Sequence, residues 1–324
     1  MRYTVSLLAG AAMTVSGASA ARAEKWDMPL AYPATNYHSE NAAAFGKCVG
    51  EKTGGKLEIV THPNGSLFAG NDIKRAVQTG QAPIGERLLS AHANENPLYG
   101  VDSIPFLATS FDASNKLWKA ANEKVTKALA DQNLVYLYAV MWPPQGLYTK
   151  KEIKSAADLK GIKFRAYNAA TARIAALAGM VPVQIEAAEL SQALATGVAE
   201  SFISSGSTGV DSKVWESLKY FYDVQAWLPR NVVFVNKDAF EALDAAAKDA
   251  VMSCGKEAGA RGEAKARELT GGYLKTLASN GMTVAGPDDK LKSDLEGFGA
   301  TMTEEWLQKA GADGKAIIDA YKAK

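Results

Sequence analysis

One ten-residue pattern of this sequence occurs twice, and at the same place in a larger order of segments. Ile73-Lys74-Arg75-Ala76-Val77-Gln78-Thr79-Gly80-Gln81-Ala82 aligns with Leu190-Ser191-Gln192-Ala193-Leu194-Ala195-Thr196-Gly197-Val198-Ala199 at a constant offset of 117. Apolar positions, a small alanine, a Thr-Gly helix stop and the small residue opening the next segment all coincide. Glycine is a common helix terminator, so one such match carries little. The surroundings repeat as well. Around the first copy, apolar patterning predicts a strand over Lys25–Tyr32 and a helix over Ser39–Thr53. It then predicts a strand over Lys56–Thr61, a helix capped near Asn71-Asp72 and a short strand near Ile84. Around the second copy the same order reads Ile162–Tyr167, Ala169–Leu177, Val181–Ile185, Ala188–Ala195 and Glu200–Ile203. A β-α-β-α-β order builds a sheet, mostly parallel, with helices on its faces. The expected fold class is therefore α/β, with two similar lobes.

The remaining segments connect the lobes. A helix is expected over Ser114–Gln132 and a strand over Leu134–Met141, broken by Trp142-Pro143-Pro144-Gln145-Gly146. The chain returns through Trp227-Leu228-Pro229-Arg230-Asn231 to a strand over Val232–Val235, and long Ala/Lys/Glu-rich helices follow. Two crossings imply a hinge with a cleft beside it. The expected division is lobe I at 24–141 plus about 232–285, and lobe II at 142–231 plus about 286–324 with the C-terminal helices.

The first 23 residues read as an export signal rather than as part of either lobe. Arg2 precedes an uncharged run, Tyr3–Val15, and small residues lead to an A-x-A site at Ala21-Arg22-Ala23. The run is too short for a membrane anchor, which needs about 20 apolar residues. Cleavage removes two arginines and no acid, so the net charge moves from +1 to −1. Neither value suits a protein that holds nucleic acid through a basic surplus. The expected location is the periplasm, without stable membrane insertion. An oxidising compartment permits disulfides. The two cysteines, Cys48 and Cys254, are too few for a four-cysteine zinc site. They read as a bridge worth about 4 kcal/mol in the loop-entropy account or as two buried thiols.

No phosphate-binding glycine loop, nucleophile elbow or zinc-binding His-Glu-x-x-His is present in the sequence. No cofactor, metal or catalytic set is expected. In open α/β sheets, ligands sit beyond the carboxyl ends of strands, where helix N-termini point. That rule selects Asn36, Tyr37, His38 and Ser39 after the first strand, Tyr167 and Asn168 after the equivalent strand of lobe II, and the matched strand ends at Glu86-Arg87 and Ser204-Ser205. Glu86 reads as an acceptor for a ligand hydroxyl or amine, or as a neutraliser of Arg87. Trp142, Gln145 and Trp227 lie at the crossings, where aromatics form a stacking wall or pack the hinge. Arg165 stands out because it interrupts an apolar strand. A fixed cation there needs an anionic partner, either a ligand carboxylate held by paired charged hydrogen bonds or a neighbouring acid.

Several segments in order resemble the solute-binding proteins of TRAP transporters. They are Glu51-Lys52-Thr53-Gly54-Gly55-Lys56, Pro63-Asn64-Gly65-Ser66-Leu67, Ile104-Pro105-Phe106-Leu107, Asp158-Leu159-Lys160-Gly161-Ile162-Lys163-Phe164-Arg165 and Ala193-Leu194-Ala195-Thr196-Gly197. The resemblance spans essentially the whole chain after the signal. It implies a two-lobed periplasmic binding protein fold of type II with a long connecting helix. It also implies an organic acid held by the arginine at position 165 and delivered to an ion-gradient-driven TRAP membrane permease. Where that family commonly carries asparagine after the second Thr-Gly stop, this chain has Ser204. With Trp142, Trp227 and Tyr167 near by, the smaller serine points to a larger monocarboxylate, aromatic or keto/hydroxy, rather than a four-carbon dicarboxylate. The alternatives are an exported enzyme acting on a carboxylate in the same cleft and a ligand-binding adaptor for a sensor kinase.

Overall fold

The computed structural model describes residues 23–323. Nearly all of the expected export signal therefore lies outside the described residues. Among those described, no helix is long and apolar enough to cross a membrane.

The chain begins with β1 (Glu24–Pro29), α1 (Tyr37–Lys52) and β2 (Leu57–His62), then α2 (Ile73–Gln78) and β3 (Ile84–Leu88). Asn36 starts α1 by accepting the His38 amide hydrogen, and the buried Ala42, Phe45 and Val49 recur at the three-to-four-residue spacing of one helix face. α3 (Phe111–Ala130) and β4 (Leu134–Met141) complete this pass through lobe I. The chain then crosses to lobe II: β5 (Gln145–Thr149), β6 (Lys163–Ala166), α4 (Ala169–Leu177), β7 (Val181–Gln184), α5 (Leu190–Ala195), β8 (Ser201–Ser205), α6 (Gly206–Asp211) and β9 (Tyr220–Tyr222). It returns with β10 (Arg230–Asn236), α7 (Lys237–Ala242) and α8 (Ala245–Ser279), and ends with β11 (Thr283–Ala285) and α9 (Asp289–Lys322).

The repeated ten-residue pattern has a structural counterpart. α2 and α5 are both six-residue helices, and each is followed by a Thr-Gly step whose glycine is left-handed, φ 75° at Gly80 and φ 71° at Gly197. A side chain there would meet its own carbonyl, so glycine is what lets the chain turn straight into the next strand.

The sheets are mixed. β1 pairs with β2 in parallel, while β10 lies antiparallel between β3 and β4. In lobe II the order is β11-β9-β5-β8-β6-β7, with β6 parallel to β7 and β8, and β5 antiparallel to β8 and β9. The physical reason is the crossings. β5 and β10 each enter a lobe from the other one and run against the strands already laid down. Buried side chains such as Trp26, Phe45, Phe164 and Phe202 fill the lobe interiors, each worth about 1.5–3 kcal/mol of apolar burial.

Two long helices tie the lobes together. α8 packs its first half on lobe I, where Ala258 O accepts from Asn41 Nδ2 at 3.0 Å and Cys254 is disulfide-bonded to Cys48 of α1. Its second half reaches lobe II, where Tyr273 lies against Gly206. α9 starts on lobe II, with Asp294 accepting from the Ala156 amide at 2.9 Å. It ends on lobe I, with Trp306 Nε1 donating to Pro97 O at 2.7 Å and Tyr321 OH to Leu107 O at 3.0 Å.

Candidate functional site

The two crossings are hydrogen-bonded to each other and form the floor of the cleft. Trp142 N donates to Pro229 O at 2.8 Å, Gln145 N to Trp227 O at 3.0 Å, and Ala226 N back to Gln145 O at 3.0 Å. Above this floor the lobes meet. Asn168 Nδ2 donates to Ser90 Oγ at 3.0 Å, Asn36 Nδ2 to Asp211 Oδ2 at 2.6 Å, and Arg87 Nη2 lies 3.1 Å from Glu186. Each contact joins a lobe I residue to a lobe II residue, so the lobes are closed on each other.

Between them is a small cavity, in which the centre of a water-sized sphere has about 30 Å³ to move. Tyr32, Arg87, Leu88, Trp142 and Pro229 line it from the lobe I side and the floor. Arg165, Tyr167, Glu186, Ser204 and Thr208 line it from lobe II, with Gln145 at the crossing.

Arg165 sits on β6, whose alternation places Phe164 in the core on one face and Arg165 and Tyr167 on the other. Its side chain is buried and passes over the Tyr167 ring, the guanidinium carbon 4.9 Å from the ring centroid. Its one hydrogen bond among the described residues runs from Nε to Ile185 O at 2.9 Å. Burial pulls its pKa down from the usual arginine value, which is the physical signature of a cation short of partners. The two terminal nitrogens of the fork are therefore free to hold a planar anion. Tyr167 is fixed in turn by Gln145, whose Oε1 accepts from Tyr167 OH at 3.1 Å while its Nε2 donates to Pro143 O at 3.0 Å. Ser204 Oγ donates to Thr208 Oγ1 at 2.9 Å, so both hydroxyls face the cavity as one unit.

Other residues singled out from the sequence stand around the cavity rather than in its lining. Glu86 is buried behind the wall, accepting from Asn231 Nδ2 at 2.8 Å, and the same Asn231 accepts from Trp142 Nε1 at 2.8 Å. His38 Nδ1 lies 3.1 Å from Glu86, out of line for a hydrogen bond, and its ring packs on Trp142 with centroids 4.2 Å apart. Burial lowers its pKa against the pull of Glu86, which keeps the imidazole neutral. Tyr37 OH donates to Met141 O at 2.5 Å, at the end of β4. Asn36 caps α1 and bridges to α6, and Asn168 caps α4 and bridges to Ser90. Trp227 is buried beside the floor against Phe106, Ile174 and Leu295, in a separate apolar recess.

Arg87, singled out with Glu86 at a strand end, lines the cavity, and Glu186, Tyr32 and Thr208 line it without having been chosen from the sequence. Glu186 comes two residues after β7 and so obeys the strand-end rule that selected Asn168. Arg87 interrupts an apolar strand just as Arg165 does. Among the described residues no group of His, Cys, Asp and Glu is placed to hold a metal ion.

Known proteins match this arrangement. The family model for bacterial extracellular solute-binding protein, family 7, matches residues 31–309. A marine metagenome TRAP solute-binding protein from an unidentified microbe, specific for pyroglutamate and solved with co-purified pyroglutamate, is 58% identical. The match covers 93% of this chain and 99% of that one at a TM-score of 0.92. A Bordetella pertussis extracytoplasmic solute receptor binding pyroglutamic acid is 51% identical over 93% of this chain and 100% of its own, TM-score 0.91. Among curated proteins, an uncharacterised protein of Salmonella typhimurium, YiiZ, is 26% identical over 62% of this chain, and the match spans 63% of that relative's length.

Proposed function

The chain belongs to bacterial extracellular solute-binding protein family 7, and from that premise we propose that it is the exported receptor of a TRAP transporter for a small cyclic monocarboxylate, pyroglutamate or a near analogue. The signal at its N-terminus delivers it to the periplasm, where the lobes close on the acid and present it to a membrane permease. The family is one of receptors rather than enzymes, and the ligand is released unchanged.

One observation carries this reading. Arg165 is a buried guanidinium whose terminal nitrogens have no partner among the described residues and which lines the inter-lobe cavity. A ligand carboxylate supplies the missing charge and takes both donors of the fork. Tyr32, Trp142 and Tyr167 add aromatic surface to the cavity wall, and the cavity's small size favours a compact ring over the bulkier aromatic acids that Ser204, Trp142, Trp227 and Tyr167 together suggested. Ser204 and Thr208 supply hydroxyls beside the carboxylate site. The similarity to two pyroglutamate receptors, at 58% and 51% identity over nearly the whole chain, supports the same ligand here.

The test is mass spectrometry of the acid-denatured protein for co-purified pyroglutamate, followed by calorimetric titration of stripped protein. L-pyroglutamate is expected to bind far more tightly than succinate, malate, D-glucuronate or benzoate. Tighter binding of a dicarboxylate or a sugar acid overturns the assignment. Chemical change of pyroglutamate on prolonged incubation overturns the receptor role.

A further inference from the structure

Arg165 accounts for one end of the ligand and leaves a second charged pair in the cavity wall without a task. Arg87 is the penultimate residue of β3 in lobe I, is 3% exposed, and has Nη2 held by Asn71 Oδ1 at 2.6 Å and by Glu186 at 3.1 Å across the cleft. Its Nε is buried and has no hydrogen-bond partner among the described residues. Glu186 accepts from Arg87 Nη2 and, through a capping box, from the Glu189 amide. A carboxylate has about four acceptor positions, so Glu186 has capacity left on a side chain that lines the cavity. A buried donor and a partly exposed acceptor, side by side and incompletely used, are what an amide-like group completes.

We propose that the Arg87–Glu186 pair reads the end of the ligand away from the carboxylate, with Glu186 accepting from a ring N–H and Arg87 Nε donating to the carbonyl beside it. The same pair sets the ligand's charge. Two cations and one acid line the cavity, so one negative charge balances it and a second would sit uncompensated beside Glu186. A lactam monoanion meets both demands, whereas a dicarboxylate meets neither. Because Arg87 belongs to lobe I and Glu186 to lobe II, the groups that recognise this end of the ligand come together only when the lobes close. This inference rests on the reading of the ligand as a cyclic monocarboxylate and adds which residues distinguish it.

The experiment compares L-pyroglutamate with 5-oxotetrahydrofuran-2-carboxylate, which replaces the ring N–H by oxygen, by calorimetric titration of stripped wild type and Glu186→Gln, with succinate as the dianion. Wild type is expected to prefer the lactam at least tenfold. Glu186→Gln is expected to keep its melting temperature, to weaken the lactam at least tenfold, to shrink the lactam-to-lactone ratio toward unity and to narrow the gap to succinate. Should Glu186→Gln fail to fold, the wild-type ratio alone decides. A wild type that binds both rings within threefold overturns this inference while leaving the pyroglutamate receptor standing, as does a variant whose ratio is unchanged. A wild type that binds neither ring overturns the receptor reading and this inference with it.

Discussion

Replacing Arg165 by methionine separates a binding role from a structural one. The variant keeps an unbranched side chain of similar length over the Tyr167 ring, now 4.9 Å from the guanidinium, and removes only the charge and its donors. In the ligand-free protein, two effects oppose. Loss of the Nε bond to Ile185 O at 2.9 Å costs about 1 kcal/mol. Relief of a buried cation, whose pKa burial has already drawn down, returns a similar amount. Stability should therefore stay within about 1–2 kcal/mol of wild type, which for a chain this long is a shift of only a few degrees in melting temperature. Binding is different. The ligand carboxylate would be buried without its counter-charge, a loss of about 3–5 kcal/mol, or roughly a hundred- to several-thousandfold in Kd. The assay is calorimetric titration with L-pyroglutamate of protein unfolded and refolded to strip bound ligand, alongside thermal melts without ligand. Affinity within fivefold of wild type refutes the reasoning. So does a ligand-free variant that melts as though it had lost more than about 3 kcal/mol, since Arg165 would then be holding the fold rather than the acid.

Three further outcomes follow from other parts of the molecule. Burial raises the Asp211 carboxyl to about 6, against the hydrogen bonds from Asn36 and Ser207 that pull it down; the protonated form is favoured on folding, so this stability is full below the ordinary value near 4 and is lost as pH rises toward 6. Asp211→Asn should match wild type in melts near pH 3.5 and pull ahead by up to about 3 kcal/mol by pH 6.5, and a pH-independent gap would contradict this. A side chain at Gly70 would strike the Glu186 carboxylate and lie 2.6 Å from Arg87 Nη1, so Gly70→Ala should weaken pyroglutamate about tenfold or more in titrations with little change in ligand-free melting. Cys48→Ser opens the bond to Cys254, 206 residues away; chemical unfolding should show a loss of about 2–5 kcal/mol, while affinity in titrations below the new transition stays near wild type because both cysteines lie on helices away from the cavity.

The fold was legible because its most constrained segments carry backbone demands that few residues meet. The Thr-Gly stops at Gly80 and Gly197 need positive φ, and they recur at one offset because two lobes solve the same strand-to-helix-to-strand turn. Strand direction was less legible. Apolar patterning in β5 and β10 announces strands but says nothing of their orientation, which depends on the lobe from which each one arrives. The same blindness applies to α9, which reads in sequence as one more amphipathic helix yet leaves lobe II at Asp294 and docks on lobe I at Trp306 and Tyr321.

The site was legible to the extent that an isolated charge in an apolar strand betrays itself. Arg165 did so, and Arg87 shows the same signature on β3, but beside Glu86 it invited pairing with its sequence neighbour. In the structure the two point opposite ways, as adjacent strand residues must. Glu86 turns inward to Asn231 and His38, holding Trp142 through Asn231, and Arg87 turns to the cleft and takes Glu186 from the other lobe. The partner that decides each charge's role lies 145 residues from Glu86 and 99 from Arg87 along the chain. No spacing rule reaches that far. What the closed lobes add is an accounting of charge: Glu186 pairs with Arg87, and Arg165 has no ion-pair partner among the described residues.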